Sequence, residues 1–264
     1  MKETLVTALK TSGTELLKFF GTPLETTQKE SQSSVVTKAD LKSDAMIVSL
    51  ITEKFPTHNI ISEEGGFINK KSGYTWIIDP LDGTSNFAAV IPWFGVLIAL
   101  YKDSSPIMGG AYLPVTGDLY FAEKGKGVVK NDIQFSIDKY KSLKNSLVAF
   151  AVDFTDDEAE LNNSLSIYRN LVMSARNTRA TNCLIDFLNV SENRFGACIN
   201  LYTRIWDIAA LGLIISEAGG VMKDINGHDI QYAFDAGITE RNFPVMAGSE
   251  SIIDEIKKQV LKIK

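Results

Sequence analysis

Trp76-Ile77-Ile78-Asp79-Pro80-Leu81-Asp82-Gly83-Thr84-Ser85-Asn86-Phe87 is the stretch on which the reading of this chain turns. Trp76 to Ile78 form a short apolar run of the kind that makes a buried strand. Pro80 has no N–H for a sheet ladder and holds the residue before it extended. The strand is therefore expected to stop there, with the Asp79 carboxylate projecting from its end. Asp82 follows across a tight turn, where both acids reach the same small volume. Two carboxylates that close repel each other, and a divalent cation is the usual remedy. Gly83 lets the backbone approach an anion, and the N–H groups of Thr84 and Ser85 point at it if a helical turn begins there. Carboxylates for a hard cation beside amides for a phosphate make a phosphoryl-transfer site. Each residue also has a plainer role open to it: Asp82 as an N-cap, Asp79 as a solvated strand end, Gly83 as a turn residue.

Working outward, 264 residues can bury a large core, as one bilobed domain or two closely packed ones. Hydrophobic residues at 45% and charged residues at 22% are ordinary for a globular enzyme. A formal charge of −5 argues against a nucleic-acid surface, where a basic patch is expected. The absence of a long apolar run or a signal-type N-terminus points to a cytoplasmic protein with no membrane partner. Cys183 and Cys198 fit neither a disulfide framework nor a zinc site, and read as small buried hydrophobes. The only histidines, His58 and His228, lie in unrelated contexts, which leaves chemistry to the carboxylates.

Apolar spacing predicts helices over 4–20, 40–55, 156–172, 183–190, 207–218 and 250–261. Short strands are expected at 60–61, 147–152, 197–201, 221–224 and 244–247. Between them, 95–101, 107–112, 119–122 and 127–130 alternate with turn residues as an antiparallel meander. The polar stretch 26–34 reads as a loop, with Lys29 among its few charges, and 67–73 as a surface loop. The polar segment 139–145 is the expected lobe boundary, dividing an α+β lobe (1–142) that carries most of the candidate ligands from an α/β lobe (143–264) that carries Asp207 and the substrate side.

Two further groups accompany the opening motif. Glu63-Glu64 follows a short strand, where an exposed acidic turn is the plain alternative. Far downstream, Trp206-Asp207-Ile208-Ala209-Ala210 opens an apolar helix that runs to Ala218-Gly219-Gly220. Asp207 suits the positive helix end, the alanines allow close packing, and the glycines stop the helix. In this order and at these spacings, the three groups resemble the inositol monophosphatase family of magnesium-dependent, lithium-sensitive phosphatases. The likeness runs from Val36-Thr37-Lys38-Ala39-Asp40 to the final Ala-Gly-Gly, and the D-P-L-D-G-T-S-N-F string is its most specific part.

The resemblance implies an α+β fold, a layered αβαβα sandwich of the inositol monophosphatase and fructose-1,6-bisphosphatase type, and a homodimer. It also implies a site. Glu63, Asp79 and the Leu81 carbonyl would hold a first Mg2+; Asp79 would bridge to a second, completed by Asp82 and Asp207; a looser third would lean on Glu63. Mn2+ is a possible substitute, and Ca2+ and Li+ are expected inhibitors. Gly83 and Thr84 would bind the phosphate through backbone N–H groups. Thr84 and Asp40 resemble the family's hydroxyl–carboxylate pair that orients the attacking water, with Glu63 assisting, and Lys29 resembles a lysine near that pair. Paired ions holding the attacking and leaving oxygens account for such a ligand set.

The substrate end departs from the family. A Gly-Ser/Thr-Ala turn is replaced here by Ala180-Thr181-Asn182-Cys183, and a sugar-binding glutamate seven residues before Asp207 by Asn200. Asp82, Gly83, Thr84, Ser85, Thr181, Asn182, Cys183, Asn200 and Asp207 are the expected substrate contacts. Arg176, Arg179 and Arg204 form a local basic group, read either as surface or dimer charges or as a clamp for a second phosphate. Inositol monophosphate or a related sugar phosphate is the expected substrate. Fructose 1,6-bisphosphate, histidinol phosphate and 3′-phosphoadenosine 5′-phosphate are alternatives, as is a regulatory binding protein that keeps the fold.

Overall fold

The computed structural model describes residues 1–21, 26–28, 35–137 and 142–262. The helices are α1 (Lys2–Phe19), α2 (Lys38–Lys54), α3 (Thr84–Ala88), α4 (Glu158–Ser174), α5 (Leu184–Ser191), α6 (Ile205–Glu217) and α7 (Glu250–Ile256). The strands are β1 (Thr26–Gln28), β2 (Val35–Thr37), β3 (Asn59–Ser62), β4 (Gly66–Ile68), β5 (Tyr74–Asp82), β6 (Gly95–Lys102), β7 (Ser105–Leu113), β8 (Asp118–Glu123), β9 (Gly127–Lys130) and β10 (Ile133–Gln134), followed by β11 (Leu147–Phe150), β12 (Asn177–Arg179), β13 (Ala197–Asn200), β14 (Val221–Asp224) and β15 (Val245–Gly248).

An eight-stranded sheet runs in the order β10-β9-β8-β7-β6-β5-β3-β4, and a five-stranded sheet in the order β12-β11-β13-β15-β14. The first is buried on both faces, which is why its strands read as continuous apolar runs instead of alternating ones. Trp76, Ile78, Val96, Ile98 and Leu100 face one way, into a core shared with α1 and α2. Ile77, Leu97, Ala99, Tyr101 and Ala111 face the other way, into a core shared with α5 and α6. The second sheet closes that core and packs its outer face on α4 and α7 through Val148, Phe150, Ile167, Leu171 and Ile253. The layers are thus helix, sheet, helix, sheet, helix: the expected αβαβα sandwich of α+β class. α6 lies close enough to β7 that a methyl group on Gly109 would stand 2.9 Å from the Ala210 carbonyl oxygen. The small residues anticipated on α6 serve that close approach.

The meander of β6 to β9 pairs antiparallel as expected. The second sheet is mixed, since β11 pairs parallel with β12 and β13 while β15 runs antiparallel to β13 and β14. Residues 26–28 do not form a loop but pair antiparallel with 35–37, and Phe67 and Ile68 pair with β3 before the surface segment begins. Lys29 and part of the 139–145 segment lie outside the described residues. The helix expected from 156 starts at Glu158, because the Asp157 side chain accepts from the Ala159 and Glu160 N–H groups at 2.7 and 3.2 Å and caps it there.

The main correction concerns Pro80. β5 does not stop at the proline but runs on to Asp82. Asp79 pairs with Leu97 and Asp82 with Gly95, three steps on β5 against two on β6, so the strand carries a one-residue bulge between the two acids. The bulge tolerates a residue without an N–H.

Candidate active site

That bulge decides where the acids point. In a regular strand, residues three apart face opposite sides of the sheet. One extra residue restores the phase, so Asp79 and Asp82 both face the side that Leu97 occupies, toward α5 and α6. Asp79 is buried there and Asp82 partly so. The Leu81 N–H donates to Asp79 Oδ1 at 3.0 Å and the Leu184 N–H to Asp82 Oδ1 at 2.6 Å. Asp207 arrives from the first turn of α6, where its Oδ2 accepts from the Arg204 N–H at 2.6 Å. One carboxylate oxygen from each of Asp79, Asp82 and Asp207 lies within 4.8 Å of the others. Glu63 stands one residue beyond β3, its N–H donating to the Ile78 carbonyl at 3.3 Å, and lines the same cleft.

The electrostatics follow from that crowding. Burial first, then the charges of Glu63, Asp82, Asp207 and Asp40, push the Asp79 carboxyl well above the usual range. Burial and the Asp82 charge do the same to Asp207. Asp82 is pushed up to about 7 by burial and by Glu63 and Asp186, against the opposing bond from Leu184. A crowded cluster of carboxylates that disfavours its own ionisation is the donor set a hard divalent cation satisfies with oxygen ligands. The oxygens of Asp79, Asp82 and Asp207 are close enough together to fit such an ion, and Glu63 and Leu81 line the cleft beside them.

Beside the acids, Gly83 holds a left-handed conformation at φ +87°, and a methyl group there would stand 2.6 Å from the Trp93 carbonyl oxygen and 3.2 Å from the Phe94 Cα. Only glycine suits that position. The Thr84 hydroxyl begins α3 and donates to the Leu81 carbonyl at 2.9 Å. Asp40 is buried on α2, where its charge reaches Asp79, but it does not line the cleft.

The cleft has a volume of about 760 Å³. Of the residues named from sequence as substrate contacts, Gly83, Thr84, Ser85, Asn182, Cys183 and Asn200 line it beside Asp82 and Asp207; Thr181 does not, its hydroxyl lying 3.2 Å from the Cys183 sulfur. The Asn200 side-chain oxygen Oδ1 accepts from the Tyr202 N–H at 3.0 Å, and the side-chain amide of Asn182, a residue at φ +53°, donates to Asp153 Oδ1 at 2.8 Å. Burial, aided by the Asp82 charge, pushes the Cys183 thiol up, so it stays protonated. The three arginines are not one group. Arg204 lines the cleft with its guanidinium on the Glu240 carbonyl, while exposed Arg176 and Arg179 sit at edge strand β12, outside the lining.

Sequence reasoning missed several contributors. Asp153, Phe154, Tyr202, Thr239 and Glu240 complete the wall from loops. Asn86 donates to the carbonyls of Trp93 and Thr181 at 3.0 and 2.9 Å, tying the phosphate turn to the 181–183 segment. Buried Asp186 accepts from the N–H groups of Thr181 and Asn182 at 2.9 and 3.0 Å. The signals were available: Asn86 lies inside the D-G-T-S-N-F string, and Asp186 follows Cys183 at capping-box spacing.

A family model described as the inositol monophosphatase family matches residues 1–260. The chain is similar to a Nus factor SuhB of Haemophilus influenzae, 32% identical over 240 residues that cover 90% of this chain and 86% of that one. It is also similar to a fructose-1,6-bisphosphatase/inositol-1-monophosphatase of Aquifex aeolicus, 31% identical over 198 residues and 75% of each chain. Among solved structures, the extragenic suppressor protein suhB of Bartonella henselae superposes with a TM-score of 0.89 at 26% identity, covering 99% of this chain and 98% of that one.

Proposed function

The chain belongs to the inositol monophosphatase family, and from that premise we propose that it is a cytoplasmic, magnesium-dependent phosphomonoesterase acting on the monophosphate of a neutral polyol such as inositol. The observation that carries the reading is the convergence of Asp79, Asp82 and Asp207 beside the Gly83 turn. Bound Mg2+ would supply an acidified water and a counter-charge for the phosphoryl oxygens. Glu63, Asp79, Asp82, Asp207 and the Leu81 carbonyl would hold it. Around that centre, the N–H groups after Gly83 would take the non-bridging phosphate oxygens, and Thr84 Oγ1 would orient the attacking water, with the Asp40 carboxylate behind it to accept a proton. Hydrolysis consumes one water and gives inorganic phosphate and the free alcohol.

The alcohol would face Asn182, Asn200, Tyr202, Thr239 and Glu240, donors and acceptors suited to hydroxyl groups. Because Arg176 and Arg179 stand outside the cleft and Arg204 is held by a backbone carbonyl, the wall favours one phosphate over two. A homodimer is part of the reading. Leu161, Leu165, Tyr168 and Val172 form an exposed stripe on α4 at alternating four- and three-residue spacing, the spacing of a helix–helix seam. Asp156, Asp157, Glu158 and Glu160 cluster at one end and Arg169, Arg176 and Arg179 at the other, so two antiparallel copies would meet with opposite charges apposed.

The test is phosphate release by purified protein, with and without Mg2+, on inositol 1-phosphate, fructose 1,6-bisphosphate, histidinol phosphate and 3′-phosphoadenosine 5′-phosphate. Mg2+-dependent turnover of inositol 1-phosphate far above the bisphosphates is expected; preference for a bisphosphate overturns the polyol assignment. The Haemophilus relative's designation as a Nus factor favours a second reading, a regulatory binding role on the same fold. Metal binding without turnover on any of these compounds would support it.

A further inference from the structure

Three residues on one face of α2, Asp40, Ser43 and Asp44, are buried against the acid-bearing turns. Their spacing of three and four residues puts them on a single stripe. The Ser43 hydroxyl donates to the Pro80 carbonyl at 2.7 Å, inside the β5 bulge between Asp79 and Leu81. One residue on, the Asp44 Oδ1 accepts a hydrogen bond from the Ser62 hydroxyl. Ser62 is fully buried, is the last residue of β3, and immediately precedes Glu63. The second Asp44 oxygen lies against Gly65, where a methyl group would meet it at 3.6 Å. The turn bearing Glu63 is therefore held from two sides, by its own N–H on the Ile78 carbonyl and by Ser62 on Asp44.

We propose that Asp44 is a positioning residue for the metal centre: through Ser62 it fixes the turn that aims Glu63 at Asp79, and so sets the affinity of the site for a divalent cation. This rests on the reading of Glu63 as a ligand. Groups that orient a ligand without touching the ion commonly change metal affinity by about 10–100-fold when removed. Asp44 is well placed for this because its helix packs on β5, the strand that delivers Asp79 and Asp82, so both acid-bearing segments are referred to one rigid element.

The test is titration of the chelated, full-length protein with Mn2+ alone, followed by calorimetry, with circular dichroism and thermal unfolding as controls. Glu63→Gln establishes the premise and is expected to weaken Mn2+ binding strongly; unchanged binding in that variant overturns the ligand assignment itself. Ser62→Ala, which removes one hydroxyl from a small buried residue, is expected to weaken Mn2+ binding about tenfold. Asp44→Ala should do the same, and the double variant should be no weaker than either single one, since both remove one interaction. Asp44→Asn keeps an acceptor oxygen for Ser62 and should recover most of the affinity. If Glu63→Gln weakens binding while Ser62→Ala lowers only the melting temperature, Asp44 is a structural residue and the inference fails. An Asp44→Asn variant as weak as Asp44→Ala would refute the hydrogen-bond account.

Discussion

Replacing Asp82 with asparagine in the metal-free protein should make it more stable, and increasingly so as pH rises. The usual carboxyl value for this group is 3.8, and the folded protein moves it to about 7. Between those values the folded state holds a proton that the unfolded chain has released, so raising the pH through this window costs stability. The penalty is absent below the unfolded value, grows across the window, and is complete once pH exceeds the folded value. From about pH 5.5 upward, roughly 1.5 units of the window remain, on the order of 2 kcal/mol at about 1.4 kcal/mol per unit. With about 2.1 cal/mol/K of unfolding entropy per residue, a chain of this size loses about 4 °C for that energy. Asp79 and Asp207 are shifted in the same direction and steepen the wild-type profile further. Asp82→Asn retains an oxygen for the Leu184 N–H at the head of α5, so it removes the charge and keeps the cap.

The assay is thermal unfolding of wild type and Asp82→Asn in a chelating buffer at about pH 5.5 and pH 8. The melting-temperature difference between the two proteins reports the Asp82 charge together with the relief it brings to Asp79 and Asp207, and cancels the titration of groups that Asp82 does not touch. It should favour the variant and widen by about 4 °C between the two conditions. Added Mg2+ should reverse the order at the higher pH, because the cation removes the repulsion only where the ligand remains. A variant less stable than wild type at pH 8 without metal, or a difference that narrows as pH rises, would refute the reasoning.

Gly83→Ala places a methyl group 2.6 Å from the Trp93 carbonyl in a left-handed residue. It should cost at least about 1–2 kcal/mol from the backbone conformation alone and lower phosphate release by about 10²-fold through the displaced N–H groups, read by thermal unfolding and steady-state kinetics. Asn86→Ala frees the carbonyls of Trp93 and Thr181. It should raise KM for the phosphate ester more than it lowers kcat, at a stability cost of about 1–3 kcal/mol. Leu165→Glu on the exposed stripe of α4 should convert a dimer to monomer in sedimentation velocity while leaving the melting temperature of the monomeric fold within about 1 °C; an unchanged sedimentation coefficient would remove α4 as the contact.

What could be read from the sequence was what local physics controls. The apolar runs of the first sheet, the α6 stripe and the turn glycine at 83 announce themselves because burial and backbone conformation act on a few consecutive residues. The bulge at Pro80 could not be read that way. A proline stops a regular strand, and only pairing with β6, through Leu97 and Gly95, shows that the strand absorbs it. The meeting of Asp207 with Asp79 is equally invisible to spacing, since the two lie on elements brought together by α6 packing against the first sheet. Family resemblance supplied that pairing; periodicity did not. On the substrate side the resemblance weakened, and the wall from Asp153 to Glu240 is made of loop residues whose chemistry carries no period at all. Arg176 and Arg179 were open in sequence to two readings, surface or dimer charges or a clamp for a second phosphate, and only the edge strand β12, which carries them out of the cleft, separates the two.

The bulge joins fold to chemistry. Without it, two acids three residues apart would point to opposite faces, one into the α2 layer and one into the α6 layer, and no cation could bind both. With it, they share a face and repel, which raises their proton affinity and weakens the metal-free fold. A strand that stores such repulsion needs support on both sides, and β5 has it: Trp76 and Ile78 are buried against α1 and α2, Ile77 against the α6 layer, and the Ser43 hydroxyl holds the Pro80 carbonyl within the bulge itself. Each fully buried aliphatic side chain contributes about 1.5–3 kcal/mol, so the few residues before Asp79 offset a repulsion on the order of a few kcal/mol. The same rigidity keeps the oxygens near one point once a cation neutralises them, so the electrostatic strain of the empty cluster becomes preorganisation of the filled one. Affinity for the cation and instability without it are therefore two readings of one geometry, and a substitution that relieves the instability must weaken the site.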